Sequence, residues 1–265
     1  MVGDQNRSPY FERTFVTVHF IGAGPGAADL LTVRAVRLLN SSAVCLYAGT
    51  YVTAEVLAHC PDGADLIDSQ HLDLDQIIEH LVRATAAGAD VARLCSGDPS
   101  IYSALAEQTR RLDDAGVPWD VTPGVPAYAA AAAILGRELT APELSQTVIL
   151  TRAQARSTAM PATEALRLLA RSRATLVLHL AITRIRSVVQ DLLPEYGADA
   201  AIAVVANASA PEEVVLRGTL ADIAEQVEAA GLRQAAVIIV GRTLGGRDFG
   251  ESHLYAVRDR ALPDG

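Results

Sequence analysis

Three short segments could bring backbone close to a ligand. They are Gly22-Ala23-Gly24-Pro25-Gly26, Ser96-Gly97-Asp98-Pro99 and Pro123-Gly124-Val125-Pro126-Ala127. Glycine lets a ligand approach the main chain, and proline fixes a turn. Each segment follows an apolar run that reads as a strand. Each therefore falls at the carboxyl edge of a sheet, where open α/β folds bind ligands. A plain strand–helix turn accounts for any one of them, but three on one rim require three coincidences. The first segment invites comparison with a dinucleotide fingerprint. Its third glycine comes one residue early for G-x-G-x-x-G, and the second strand ends at Ala48-Gly49, where a ribose-binding fold places Asp or Glu. Both details oppose nicotinamide or flavin binding. Asp98 is the candidate general base by position; its alternative role is to shape its own loop.

Other chemistries are narrowed by what surrounds these loops. The 22 basic residues are all arginine, so Schiff-base lysine chemistry is excluded, and each cation can grip a carboxylate bidentately. Net charge is −9 and no basic run occurs, which argues against nucleic acid. Cys45, Cys60 and Cys95 match no zinc or disulfide spacing and suit reduced thiols in a cytoplasm. The histidines (His19, His59, His71, His80, His179 and His253) show no metal-ligand pair, so no metal is expected. His19 and His179 lie in strands and read as core residues. The most apolar run, Ala127 to Leu135, is far too short to span a bilayer.

Elements with an α/β period position the loops. Phe15 to Ile21, Ala43 to Ala48, Ala64 to Asp68, Asp90 to Cys95 and Trp119 to Thr122 read as strands. Between them the spacing predicts helices over Leu30 to Leu39 (capped by Asp29), Thr53 to Cys60, Leu74 to Ala87 and Ile101 to Ala115, with another over Ala127 to Leu135. This implies a parallel, doubly wound first sheet. The pattern breaks at Gly136 to Gln146. A second series follows, with strands Thr147 to Thr151, Ala174 to Leu180, Ala201 to Asn207, Val214 to Thr219 and Ala235 to Val240. Its helices are predicted over Thr163 to Ala170, Ile182 to Leu193 and Leu220 to Ala230. The short link at Pro211 suits a hairpin, so this second sheet should be mixed. The expected organisation is two α/β domains, 14–140 and 145–245, with tails 1–13 and 246–265.

The stretches GAGPGAADLLT (Gly22 to Thr32), SGDPSIY (Ser96 to Tyr102) and PGVPA (Pro123 to Ala127) resemble the tetrapyrrole methylase family, over about Val16 to Val240. Leu46 to Thr50, Thr147 to Ala153, Arg156 to Pro161 and the tail Asp248 to Tyr255 are similar to the members that methylate carbon 11 of a cobalamin-pathway precorrin. The resemblance implies two α/β domains with an inter-domain cleft, a homodimer, S-adenosyl-L-methionine as methyl donor and a carboxylate-rich tetrapyrrole as acceptor. Carried over by position, donor contacts fall on Pro25, Ser96, Gly97, Asp98, Ile101, Tyr102, Pro126, Ala127, Leu180, Ala208 and Ala236. Acceptor contacts fall on Gly24, Gly26, Tyr47, Arg152 and Arg156. Two departures stand out: Pro126 replaces a hydroxyl residue common in the family, and Leu180 replaces a methionine of similar volume. The alternatives are a cobalt-containing acceptor, another tetrapyrrole carbon, or a non-catalytic tetrapyrrole-binding module.

Overall fold

Strands that are apolar on both faces must be covered on both faces, and the first half of the chain meets that condition. The computed structural model describes residues 16–153 and 159–245. Its first five strands are β1 (Val18–Gly22), β2 (Val44–Tyr47), β3 (Asp65–Asp68), β4 (Val91–Cys95) and β5 (Trp119–Thr122). They form one parallel sheet in the order β3-β2-β4-β1-β5. Helices α1 (Val33–Ser41) and α2 (Ala54–Leu57) cover one face, packing Ala35, Leu39 and Val56 against Ile21, Ala92 and Leu94. Helices α3 (Leu74–Ala86) and α4 (Leu105–Asp114) cover the other, with Leu81 and Leu112 against Val18, Phe20 and Val91. Because β4, β1 and β5 are neighbours, the loops that follow them stand side by side.

In the first half of the chain two helix starts differ clearly from the spacing. The first helix begins at Val33, because the Thr32 hydroxyl accepts from the Ala35 N–H at 3.1 Å; Asp29 instead sits in a 3-10 turn. Helix α4 begins at Leu105 rather than Ile101, because Tyr102 and Ala104 take left-handed backbone (φ 54° and 55°) and end any earlier turn. Helix α3 begins where expected, with a capping box between Asp73 and Gln76.

The contacts divide the chain between Ala127 and Tyr128, whereas composition draws the line after the next helix, α5 (Ala127–Leu135). The second unit contains β6 (Val148–Arg152), α6 (Leu166–Leu169), β7 (Thr175–His179), α7 (Ile185–Tyr196), β8 (Ala201–Ala206), β9 (Val214–Thr219), α8 (Ile223–Ala229), β10 (Ala236–Val240) and α9 (Arg242–Gly245). Its sheet runs β6-β7-β10-β8-β9. Strands β6 and β7 are parallel, the other pairings antiparallel, and β8–β9 is the expected hairpin. Helices α6, α7 and α8 bury one face around Leu176, Leu178, Val204 and Ile238. The helix expected over Thr163 to Ala170 is broken into 3-10 turns flanking α6. The helix expected from Leu220 starts at Ile223, after Asp222 has turned back to accept from the Thr219 N–H at 2.8 Å. Among the described residues no helix is long and apolar enough to cross a membrane.

Candidate active site

Backbone interlock fixes the rim of the first sheet. The Ala23 N–H donates to the Cys95 carbonyl at 2.8 Å, and Gly24 and Gly97 exchange hydrogen bonds at 3.1 and 2.8 Å. Side chains cannot enter this junction. A Cβ on Gly22 would lie 2.4 Å from the Gly124 nitrogen, and one on Gly124 would lie 2.2 Å from the Gly97 oxygen. The three glycines thus pack main chain on main chain. Gly97 also needs its left-handed φ of 65°. Pro126 and Ala127 stand against Gly97 on the side a Cβ would occupy, at 3.4–3.5 Å.

Asp98 closes the junction. One carboxylate oxygen accepts from the Gly124 N–H at 2.8 Å; the other accepts from the Ser100 N–H at 2.9 Å and from the Ser100 hydroxyl. Partial burial pushes this carboxyl up, but the bonds from Ser100 and Gly124 outweigh it and hold it below the usual carboxylate range. One oxygen therefore joins the loop after β4 to the loop after β5, and the other braces Asp98's own loop. A second aspartate performs a similar task two strands away. Asp68, at the end of β3, accepts from the Gly49 and Gln70 N–H groups at 2.9 Å each, and these bonds hold it below its ordinary value. Tyr47 ends β2 on the same rim and is half-buried; its carbonyl accepts from the Ser69 N–H at 2.7 Å and the Ser69 hydroxyl at 2.9 Å.

Of the expected donor and acceptor contacts, the first unit therefore gathers Gly24, Ser96, Gly97, Asp98, Pro126 and Ala127 at one junction. Pro25 and Gly26 follow directly from it, and the Gly26 carbonyl accepts from the Thr53 hydroxyl at 3.3 Å. Ile101 is half-buried, and Tyr102 is exposed with its backbone in the left-handed region.

The second unit presents its own rim. Strand β10 runs antiparallel to both β7 and β8, so its first residue, Ala236, pairs with Ala206 and lies level with Leu180, just beyond β7. Leu180, Ala208 and Ala236, far apart in sequence, meet at this edge. The backbone here is strained: Leu180, Asn207, Ser209 and Ala235 have φ values of 52°, 49°, 64° and 51°. Left-handed non-glycine residues each cost on the order of 1–2 kcal/mol, and they cluster at ligand sites. The strain is held in place: the Asn207 N–H donates to the Ala235 carbonyl and the Ser209 N–H to Glu213, both at 2.8 Å. Leu180 is 63% exposed despite its apolar side chain. Arg152 ends β6 at the same edge and donates to the Ala159 carbonyl at 3.4 Å. Arg156 and the Asp248 to Tyr255 segment lie outside the described residues.

Spacing alone missed several of these features. Ala104, Asn207, Ser209 and Ala235 carry no motif; only the small polar run Asn-Ala-Ser hinted at a left-handed turn. His19 is a satisfied core residue, its Nδ1 3.0 Å from Asp120. His179 is half-buried, its edge faces Tyr128 at 6.4 Å, and burial lowers its pKa. Among the described residues no three His, Cys, Asp or Glu converge as metal ligands do.

Each rim offers small residues, backbone groups and an exposed apolar side chain, as small-molecule sites of α/β proteins do. The chain belongs to the Tetrapyrrole (Corrin/Porphyrin) Methylases, whose family model matches residues 17–224. It is 59% identical over 246 residues to a precorrin-4 C(11)-methyltransferase of Rhodococcus erythropolis, covering 92% of this chain and 99% of that one. Among solved structures it resembles a cobalt precorrin-4 methyltransferase, with a TM-score of 0.84 and 35% identity over 87% of this chain and 96% of that one. It also resembles the Thermus thermophilus uroporphyrin-III C-methyl transferase complexed with S-adenyl homocysteine. There the TM-score is 0.73 and the identity 29%, over 86% of this chain and 98% of that one.

Proposed function

We propose that this protein transfers a methyl group from S-adenosylmethionine to carbon 11 of precorrin-4, giving precorrin-5 in cobalamin biosynthesis. One observation carries the catalytic reading: the loops after β1, β4 and β5 are locked backbone to backbone into a rigid rim. The choice of carbon rests on the 59% identity to the Rhodococcus enzyme. The donor fits the residues present. Leu180 and Tyr102 offer exposed apolar surface, and Ser96 adds an exposed hydroxyl. When bound, the donor supplies a methyl group on a sulfonium sulfur that leaves as a neutral thioether.

The task left to the chain is to bind and orient. Fixing two reactants in line contributes about 7–11 kcal/mol in favourable cases. A preformed rim serves that end because its main-chain groups do not reorganise during the reaction. With its carboxylate engaged by Ser100 and Gly124, Asp98 acts in this proposal by positioning the loops. Arg152 and Arg156 hold acceptor carboxylates. A homodimer and a cytoplasmic location complete the proposal.

The 35% identity to a cobalt precorrin-4 methyltransferase favours a second acceptor, the cobalt-containing one. Incubating the protein with methyl-labelled S-adenosylmethionine and each acceptor separately distinguishes them. We expect label at carbon 11 of the metal-free compound. Label only on the cobalt form would replace the first reading with the second. Donor binding with no transfer to either would replace both with a non-catalytic tetrapyrrole-binding protein.

A further inference from the structure

We propose that a hollow within the second unit, at the start of α7, is a carboxylate subsite for the acceptor, built from Arg152, Arg167 and Arg184. The hollow has a volume of about 170 Å³ and opens to solvent. Its three arginines come from three elements: the end of β6, helix α6 and the residue before α7. Ser187 and Asp191 of α7 also line it, over the buried Val188. Among the described residues the lining thus holds three guanidinium groups and one carboxylate, in a chain whose net charge is −9. Among the described residues no carboxylate lies within ion-pair distance of Arg167 or Arg184.

The position of Arg184 sharpens the point. It ends a single 3-10 turn, Ile182–Arg184, and stands at the N-cap of the 12-residue helix α7 that follows. The start of a helix carries partial positive charge and disfavours a cation. A cation placed there beside Arg167 is unfavourable alone and becomes favourable when an anion enters. Guanidinium forks match carboxylates in shape and charge. A hollow with a few converging polar groups is the usual form of a small-molecule site. The chemistry recognised is therefore a carboxylate, and the subsite rests on the reading that the acceptor is a carboxylate-rich tetrapyrrole. It assigns roles to Arg167 and Arg184 that no sequence motif suggests.

The test uses the full chain with Arg167→Gln, Arg184→Gln, the double variant, and Arg184→Lys. Thermal unfolding confirms that each is folded. In methyl transfer, the double variant should raise KM for the tetrapyrrole at least about tenfold, roughly 1.4 kcal/mol. Its kcat should stay within about twofold, and S-adenosylhomocysteine affinity should not change. Arg184→Lys should recover part of the loss, since it keeps the charge. A porphyrin octa-acid, followed by fluorescence, should bind the wild type and lose affinity in the double variant, whereas its octamethyl ester should bind both equally weakly. Acetate should compete only at high concentration, which sets a tethered carboxylate apart from a free one. Unchanged KM and unchanged octa-acid binding in the folded double variant would overturn the subsite while leaving methyl transfer intact. Arginine-dependent octa-acid binding without any methyl transfer would uphold the subsite and overturn the proposed reaction.

Discussion

Asp98 is conspicuous in a motif, and its hydrogen bonds give it a geometric task at the rim. It accepts from Ser100 and Gly124, and those bonds hold its pKa below the ordinary value against the opposing effect of partial burial. A carboxyl depressed in the folded state contributes stability that is complete above its unfolded value. That contribution is lost as the pH falls through the folded value. The stability gap between wild type and Asp98→Asn should therefore be widest near neutrality and should close as the pH drops below about 4. Urea unfolding at a series of pH values reads this directly; a gap that stays constant would show that ionisation of Asp98 does not matter to the rim. The motif made Asp98 visible in the sequence. Its partner Gly124 was not visible as such, because the bond depends on β5 lying beside β1, and strand order is not written in chain order.

At the scale of elements, the rim rests on a buried cation. Arg93 sits mid-strand in β4, 8% exposed, where a strand buried on both faces gives no ready place to a charge. Its Nε donates to the Gln108 side chain of α4 at 2.9 Å. One terminal nitrogen reaches the carbonyls of Leu94 at 3.1 Å and Leu46 at 3.5 Å and the Ser69 hydroxyl at 3.4 Å. The guanidinium therefore straps α4 to the ends of β2 and β4 and to the residue after β3. Burial lowers its pKa, yet it remains charged with neutral partners only. Gln108→Leu leaves that charge short of an acceptor and should cost about 1–3 kcal/mol. Adding Arg93→Met to it should recover much of the loss, since replacing a whole buried polar pair by apolar groups is often neutral. Chemical denaturation of the two single variants and the double variant measures the coupling; strict additivity would refute it. The sequence showed the strands and most helices, because period and burial agree there. It did not show this strap, nor the late start of α4, because left-handed backbone at Tyr102 and Ala104 has no compositional mark.

The whole molecule comprises two units, each with its own sheet and its own buried core. Whether the donor draws on one unit or on both can be tested from each side. Tyr102 in the first unit and Leu180 in the second are exposed, and each is held in left-handed backbone. Asparagine tolerates that conformation better than either residue. Tyr102→Asn and Leu180→Asn should therefore fold with little change in Tm, as surface substitutions usually do within about 0.5 kcal/mol. Wild type with S-adenosylhomocysteine at about 100 times Kd should gain roughly 2.7 kcal/mol, a rise of several degrees. Each variant should lose much of that rise. NADH should give none in any of the three proteins. A loss confined to one variant would mean that a single unit holds the donor, and the strain carried by the other rim would then need a different ligand to explain it.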